Sequence, residues 1–109
     1  MTEQALFILA SLGSGELHGY AIAQDVEQMS EGRVRLAAGT LYGALKRLMA
    51  DGLIAESREL VVDGRRRRYY ELTSAGETAL TAEASRLRST AAAITARSGQ
   101  MGIPRPRPV

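Results

Sequence analysis

The spacing of apolar residues changes at Gly52, and this break constrains the fold of the 109-residue chain more than any other feature. Upstream, apolar side chains recur every three or four residues, as in helices that bury one face. Downstream, extended runs over residues 54–60 and 67–72 flank Val61-Val62-Asp63-Gly64. Asp-Gly between such runs is a strong short-range signal for a β-hairpin. The expected class is mainly α with a small β-hairpin (α+β).

Three helices are predicted before the break. Ala5, Leu6, Leu9 and Leu12 share a face over residues 4–12, and Gly13-Ser14-Gly15 ends that segment. A second helix runs from His18-Gly19 to about Ser30. Ile22, Val26 and Met29 form its stripe, and Gly32 follows as a C-cap glycine. After a connection over 33–37, a third helix starts near Gly39-Thr40, with Thr40 or a neighbour as its cap. Leu41, Leu45 and Leu48 face inward, and Asp51-Gly52 closes it. Beyond the hairpin, Ser74-Ala75-Gly76-Glu77 has capping-box spacing and opens a fourth helix to about Arg97. From Gly99 onward the proline-rich end is expected to be disordered or extended.

Three short helices and a two-stranded ribbon make the winged helix-turn-helix order. In that order a helix enters the major groove of DNA and the hairpin reaches the adjacent backbone or minor groove. The third helix suits this task, because its leucines anchor it while Thr40, Tyr42, Gly43, Lys46 and Arg47 stay outside. Tyr42 and Lys46, four apart, lie one above the other. Gly39 and Thr40 would bring backbone N–H groups and a hydroxyl toward phosphate. An ordinary solvated helix face would have the same spacing.

Charge distribution adds to the case. Net charge is only +2, but four consecutive arginines occupy residues 65–68 while the acids are spread thinly. Arg65 and Arg66 adjoin the turn and are expected at phosphate or minor groove. Arg67 and Arg68 lie in the strand, where pairing is expected to limit their reach. A solvated cluster on an exposed hairpin is the plainer alternative. His18 either donates to phosphate at the start of the second helix or packs against the wing. Tyr20 is expected to be half-buried. Tyr69 and Tyr70 must take opposite faces, one on the helices and one outward beside the arginines.

Other function classes lack the residues they need. One histidine and no cysteine leave nothing for a nucleophile–base pair or a metal cluster, so the chain is not expected to be an enzyme or to hold a metal or cofactor. The start of the chain has acidic Glu3 and no basic, small-residue signal pattern, and no stretch approaches a membrane span. A cytoplasmic protein without membrane contact is expected. A winged helix used only for protein contacts is the serious rival. It would place an apolar patch where Lys46 and Arg47 stand, and it gives the arginines no role.

On the last helix Leu80, Ala84, Leu87, Ala91 and Ile94 are separated by 4, 3, 4 and 3 residues, the seam of a coiled coil. The stripe is longer than so small a core can cover, so a homodimer is expected. The alternative is a helix folded back on its own domain. The domain reading is a winged helix-turn-helix over 1–73, a dimerisation helix over 74–98 and a flexible tail over 99–109.

The segments His18-Gly19-Tyr20-Ala21-Ile22, Gly39-Thr40-Leu41-Tyr42 through Asp51-Gly52-Leu53-Ile54, and Arg67-Arg68-Tyr69-Tyr70-Glu71-Leu72-Thr73-Ser74-Ala75-Gly76 resemble the PadR-like transcriptional regulators. The likeness covers roughly residues 4–90 and is to the branch with a short C-terminal part, in which one long helix from each subunit builds the dimer. It implies a dimeric repressor of a nearby operon, a palindromic double-stranded DNA operator and a small-molecule effector of unspecified identity. Gly43 stands where many members have proline, which costs the helix up to about 1 kcal/mol relative to alanine. The chain has no tryptophan, so the tryptophan sandwich that holds flat aromatic drugs in some relatives cannot form.

Overall fold

In the computed structural model, which describes residues 1–100, helix α1 (Glu3–Ser11) begins where Thr2 Oγ1 accepts the Ala5 N–H at 3.1 Å. Its buried face includes Ile8 as well as Leu9, while Ala5 and Leu6 are half-buried. A 3-10 turn at Leu12–Ser14 leads to β1 (Leu17–His18), a two-residue strand that the sequence did not signal. Helices α2 (Gly19–Met29) and α3 (Ala38–Ala50) follow, then β2 (Ile54–Val62), β3 (Arg65–Leu72) and α4 (Ser74–Gln100).

The core lies where the helices meet the sheet. Ile22 and Val26 of α2, Leu41, Leu45 and Leu48 of α3, Ile54 of β2 and Tyr70 of β3 are all buried there. At about 1.5–3 kcal/mol for each fully buried aliphatic side chain, this stripe-on-stripe contact is the main source of stability. Met29, expected on the α2 stripe, is instead exposed near the end of its helix.

Both anticipated N-caps are displaced. Helix α3 starts at Ala38 after Ala37, with no side-chain cap, and Thr40 is an exposed residue of its first turn. The cap of α4 is Thr73 rather than Ser74. Its Oγ1 accepts the Gly76 N–H at 3.0 Å and donates to the Gly52 carbonyl at 2.6 Å. A hydroxyl one residue earlier wins because it satisfies two backbone groups at once. Helix α4 also continues past Arg97 through Gly99 to Gln100, so the helix is longer than expected. The remainder of the predicted tail, residues 101–109, lies outside the described residues.

The sheet is antiparallel, in the order β1-β3-β2. Asp63 and Gly64 have φ of 53° and 75°, the paired left-handed conformation of a two-residue type I′ turn. Val61 and Val62 therefore belong to β2 rather than to the turn, and β3 begins at Arg65 rather than at Arg67.

Candidate nucleic-acid interface

The register fixes how the arginines are presented. Val62 pairs with Arg65, Val61 with Arg66, Leu60 with Arg67 and Glu59 with Arg68. Alternation puts Arg66 and Arg68 on the face of buried Tyr70, and Arg65 and Arg67 on the face of Tyr69. All four arginines are exposed. Strand pairing engages backbone groups only, so it does not hold Arg67 and Arg68 back as expected.

Between this hairpin and the helices lies an open groove of about 570 Å³, lined by His18, Gly19, Tyr20, Tyr42, Glu59 and residues 65–68. Tyr42 reaches it from α3 by lying against the first turn of α2. A Cβ on Gly19 would sit 2.9 Å from the Tyr42 hydroxyl, so a larger residue there would push the ring aside. Tyr20 is 68% exposed, not half-buried, and shares this mouth. Glu59 is an acid among the arginines, with its carboxylate 3.6 Å from Arg66 Nε. Counting outward from Asp63-Gly64 would have placed it opposite Arg68, so this signal was present in the sequence. Gly39, Thr40, Lys46 and Arg47 are exposed on α3 but do not line the groove.

His18 packs against the wing, which leaves its second ring nitrogen uncommitted. It is the N-cap of α2, with Nδ1 accepting the Ala21 N–H at 3.3 Å, and its ring meets Tyr69 edge-on at 5.5 Å. An accepting Nδ1 assigns the neutral ring's proton to Nε2. Burial, and then the nearby Arg67 charge, lower the His18 pKa. The folded state thus favours the neutral ring. The stabilisation it gives is present above the ordinary histidine pKa and is lost as pH falls through the lowered one. Protonation would also remove the capping acceptor, worth about 1 kcal/mol. His18→Asn caps without titrating, so its urea midpoint should fall less than that of the wild type between about pH 7.5 and 5.5. Parallel losses in the two proteins would show that His18 is not the sensitive group.

The predicted seam on α4 divides in two. Leu80 is half-buried and packs against the domain's own core. Further along, Ala84, Leu87, Ala91 and Ile94 are exposed, Leu87 at 44% and Ile94 at 61%. Among the described residues there is no group of three or more His, Cys, Asp or Glu side chains that could hold a metal ion. No helix among them is long and apolar enough to cross a membrane.

The family model described as Transcriptional regulator PadR-like family matches residues 8–82. Transcriptional regulator Rv3488 of Mycobacterium tuberculosis is 46% identical over 76 residues, covering 70% of this chain and 67% of that protein. An uncharacterized 37.1 kDa protein in a transposon of Streptomyces fradiae is 46% identical over 79 residues, which cover 72% of this chain and only 21% of that protein. Among solved structures, a PadR family transcription regulator from Clostridium difficile superposes with a TM-score of 0.71 at 27% identity, covering 92% of this chain and 98% of that one. PadR of Bacillus subtilis in complex with operator DNA superposes with a TM-score of 0.65 at 27% identity, over 74% of this chain and 46% of that one.

Proposed function

This chain belongs to the PadR-like family of transcriptional regulators, and we propose that it binds double-stranded operator DNA as a homodimer, with α3 in the major groove and the β2–β3 wing on the flanking backbone. The observation that carries this reading is the groove that joins Tyr42 of α3 to four exposed arginines of the wing. Phosphate attraction by a local basic surface is the sequence-independent part of DNA binding. The exposed face of α3, with Thr40, Tyr42, Lys46 and Arg47, supplies groups for base edges. The first turn of α3 lacks a side-chain cap, so the N–H groups near Gly39 and Thr40 are available to a phosphate oxygen. His18 joins them through its Nε2 proton.

Residues 1–73 are the DNA-reading unit in this proposal, and 74–98 pair two copies through Ala84, Leu87, Ala91 and Ile94, with Leu80 seating the helix on its own domain. Repression of a nearby operon, relieved by a small-molecule effector, is the mode that the family likeness supports. A palindromic operator follows from the two-fold symmetry of the pair. A winged helix used only for protein contacts, without DNA binding, has less support, because α3 carries Lys46 and Arg47 on its exposed face where that role calls for an apolar patch.

Salt titration of binding to labelled duplexes tests the reading. Replacing Arg65 and Arg66 together with alanine should weaken binding to all sequences alike. The log–log salt slope should fall by about 0.9 for each phosphate that is no longer neutralised. Lys46→Ala should instead cost about 1–3 kcal/mol on the operator alone. A wild-type chain that binds no duplex at low salt would defeat the proposal.

A further inference from the structure

The outer part of the wing, residues 59–62 and 65–68, is paired across its own turn, and β1 reaches only Tyr69 and Tyr70. Its direction relative to the helices is therefore decided at its root. There β2 carries a bulge between Glu56 and Arg58, and Ser57 has no cross-strand partner. A bulge bends its strand and increases the local twist, so it aims everything beyond it.

One carboxylate holds this bulge. Ser57 Oγ donates to Glu16 Oε2 at 2.5 Å, and Arg58 forms an ion pair with the same carboxylate, its Nε 2.6 Å from Glu16 Oε1. Both oxygens of Glu16 are thus used on two successive residues. Held there, the Arg58 guanidinium lies over the Tyr69 ring, 4.8 Å from its centroid. The same ring meets His18, which caps α2. Glu16 itself immediately precedes β1. A continuous set of contacts runs from the wing root to the first turn of the helix against which Tyr42 of α3 lies.

We propose that Glu16 is a positioning residue for DNA binding: through the Ser57–Arg58 bulge it holds the wing at the angle that lets its arginines meet the backbone while α3 occupies the groove. The proposal rests on the DNA-binding reading above. The sign of one substitution separates it from a simple charge effect. Removing an acid from a DNA-binding protein ordinarily strengthens attraction to a polyanion. A positioning acid does the opposite, because a wing free to swing must be ordered on binding and meets fewer phosphates.

The first measurement needs no DNA. The chain has no cysteine, so exposed Val61 and Gln28 can be replaced by cysteine and spin-labelled in the full chain, diluted with unlabelled protein. Electron–electron distance distributions should be narrow in the parent and broad after Glu16→Gln. In the second measurement, Glu16→Gln should bind a fluorescein-labelled mixed-sequence duplex about tenfold more weakly, with a shallower salt slope and an unchanged melting temperature. Glu16→Asp, which keeps both oxygens, should recover part of the loss. If Glu16→Gln does not fold, Ser57→Ala, which removes one bond from the same bulge, carries the same expectations. Stronger or unchanged binding with a narrow distribution would overturn the positioning role. Broadening with no wild-type binding to any duplex would overturn the DNA-binding reading, and Glu16's part in it with it.

Discussion

Gly76→Ala should lower stability by about 3 kcal/mol or more, several times what a surface substitution costs. A Cβ at Gly76 would lie 2.0 Å from the Leu53 carbonyl oxygen and 3.1 Å from Leu72 Cδ2. That oxygen is not free to retreat, because it accepts the Thr73 N–H at 3.1 Å. The Thr73 hydroxyl, on Gly52, ties down the residue before it. The first turn of α4 must therefore lift from the start of β2, and the cap is lost with it. At about 4–8 °C per kcal/mol for a domain of this size, thermal denaturation should show a drop of roughly 12 °C or more. Gly43→Ala is the control. It is also helical, but nothing stands within 4 Å of its added Cβ. There alanine should gain up to about 1 kcal/mol. Equal melting temperatures for Gly76→Ala and the wild type would mean that α4 is not seated on Leu53 in this way.

In the proposed homodimer, Leu87→Glu should yield a monomer in analytical ultracentrifugation. Helix α4 has 27 residues, about 40 Å of helix, and beyond Leu80 its large apolar side chains Leu87 and Ile94 are exposed on the proposed pairing stripe. A glutamate from each subunit at the centre of that stripe adds desolvation of several kcal/mol per charge, together with mutual repulsion. The far-UV spectrum of the winged domain should survive, since the core lies elsewhere. Weak, salt-sensitive DNA binding should remain, while tight binding to a palindromic site falls by the 10²–10⁴-fold that linkage of two readers typically gives. A variant that stays dimeric would move the interface elsewhere, for example to α1. There, half-buried Phe7 lies beneath Arg33, 5.8 Å from its ring centroid. A monomer that still bound the palindrome tightly would separate pairing from site recognition.

Much of the fold was legible because period alone determines it. Leu41, Leu45 and Leu48 could face only one way, and Asp63-Gly64 set a register from which every wing pair follows. Elements that depend on distant partners were not legible. The strand β1 is two residues long and exists only because Tyr69 and Tyr70 pair with it. Thr73 and Ser74 are equally good caps on paper, and the Gly52 carbonyl, brought near only by folding, decides between them. In the candidate site, the arginine run announced itself, but its exposure on both faces required the pairing pattern. Glu16 gave no signal, because a lone acid before a short strand acquires meaning only when a bulge 41 residues later arrives beside it.

The central strand of the sheet has a consequence for the free protein. β3 is flanked by β2 on one side and by β1 on the other, but β1 covers only Tyr69 and Tyr70. The wing therefore presents unpaired backbone along both of its margins, next to Leu60, 37% exposed, and Val61, 70% exposed. Such margins invite strand addition by another copy, the first step of aggregation. Arg58, Glu59 and residues 65–68 crowd this strip with charge that is mostly of one sign, so two wings approaching each other repel before their backbones can register. Arginines that the proposed reading places at phosphate would thus also keep the wings of free copies apart.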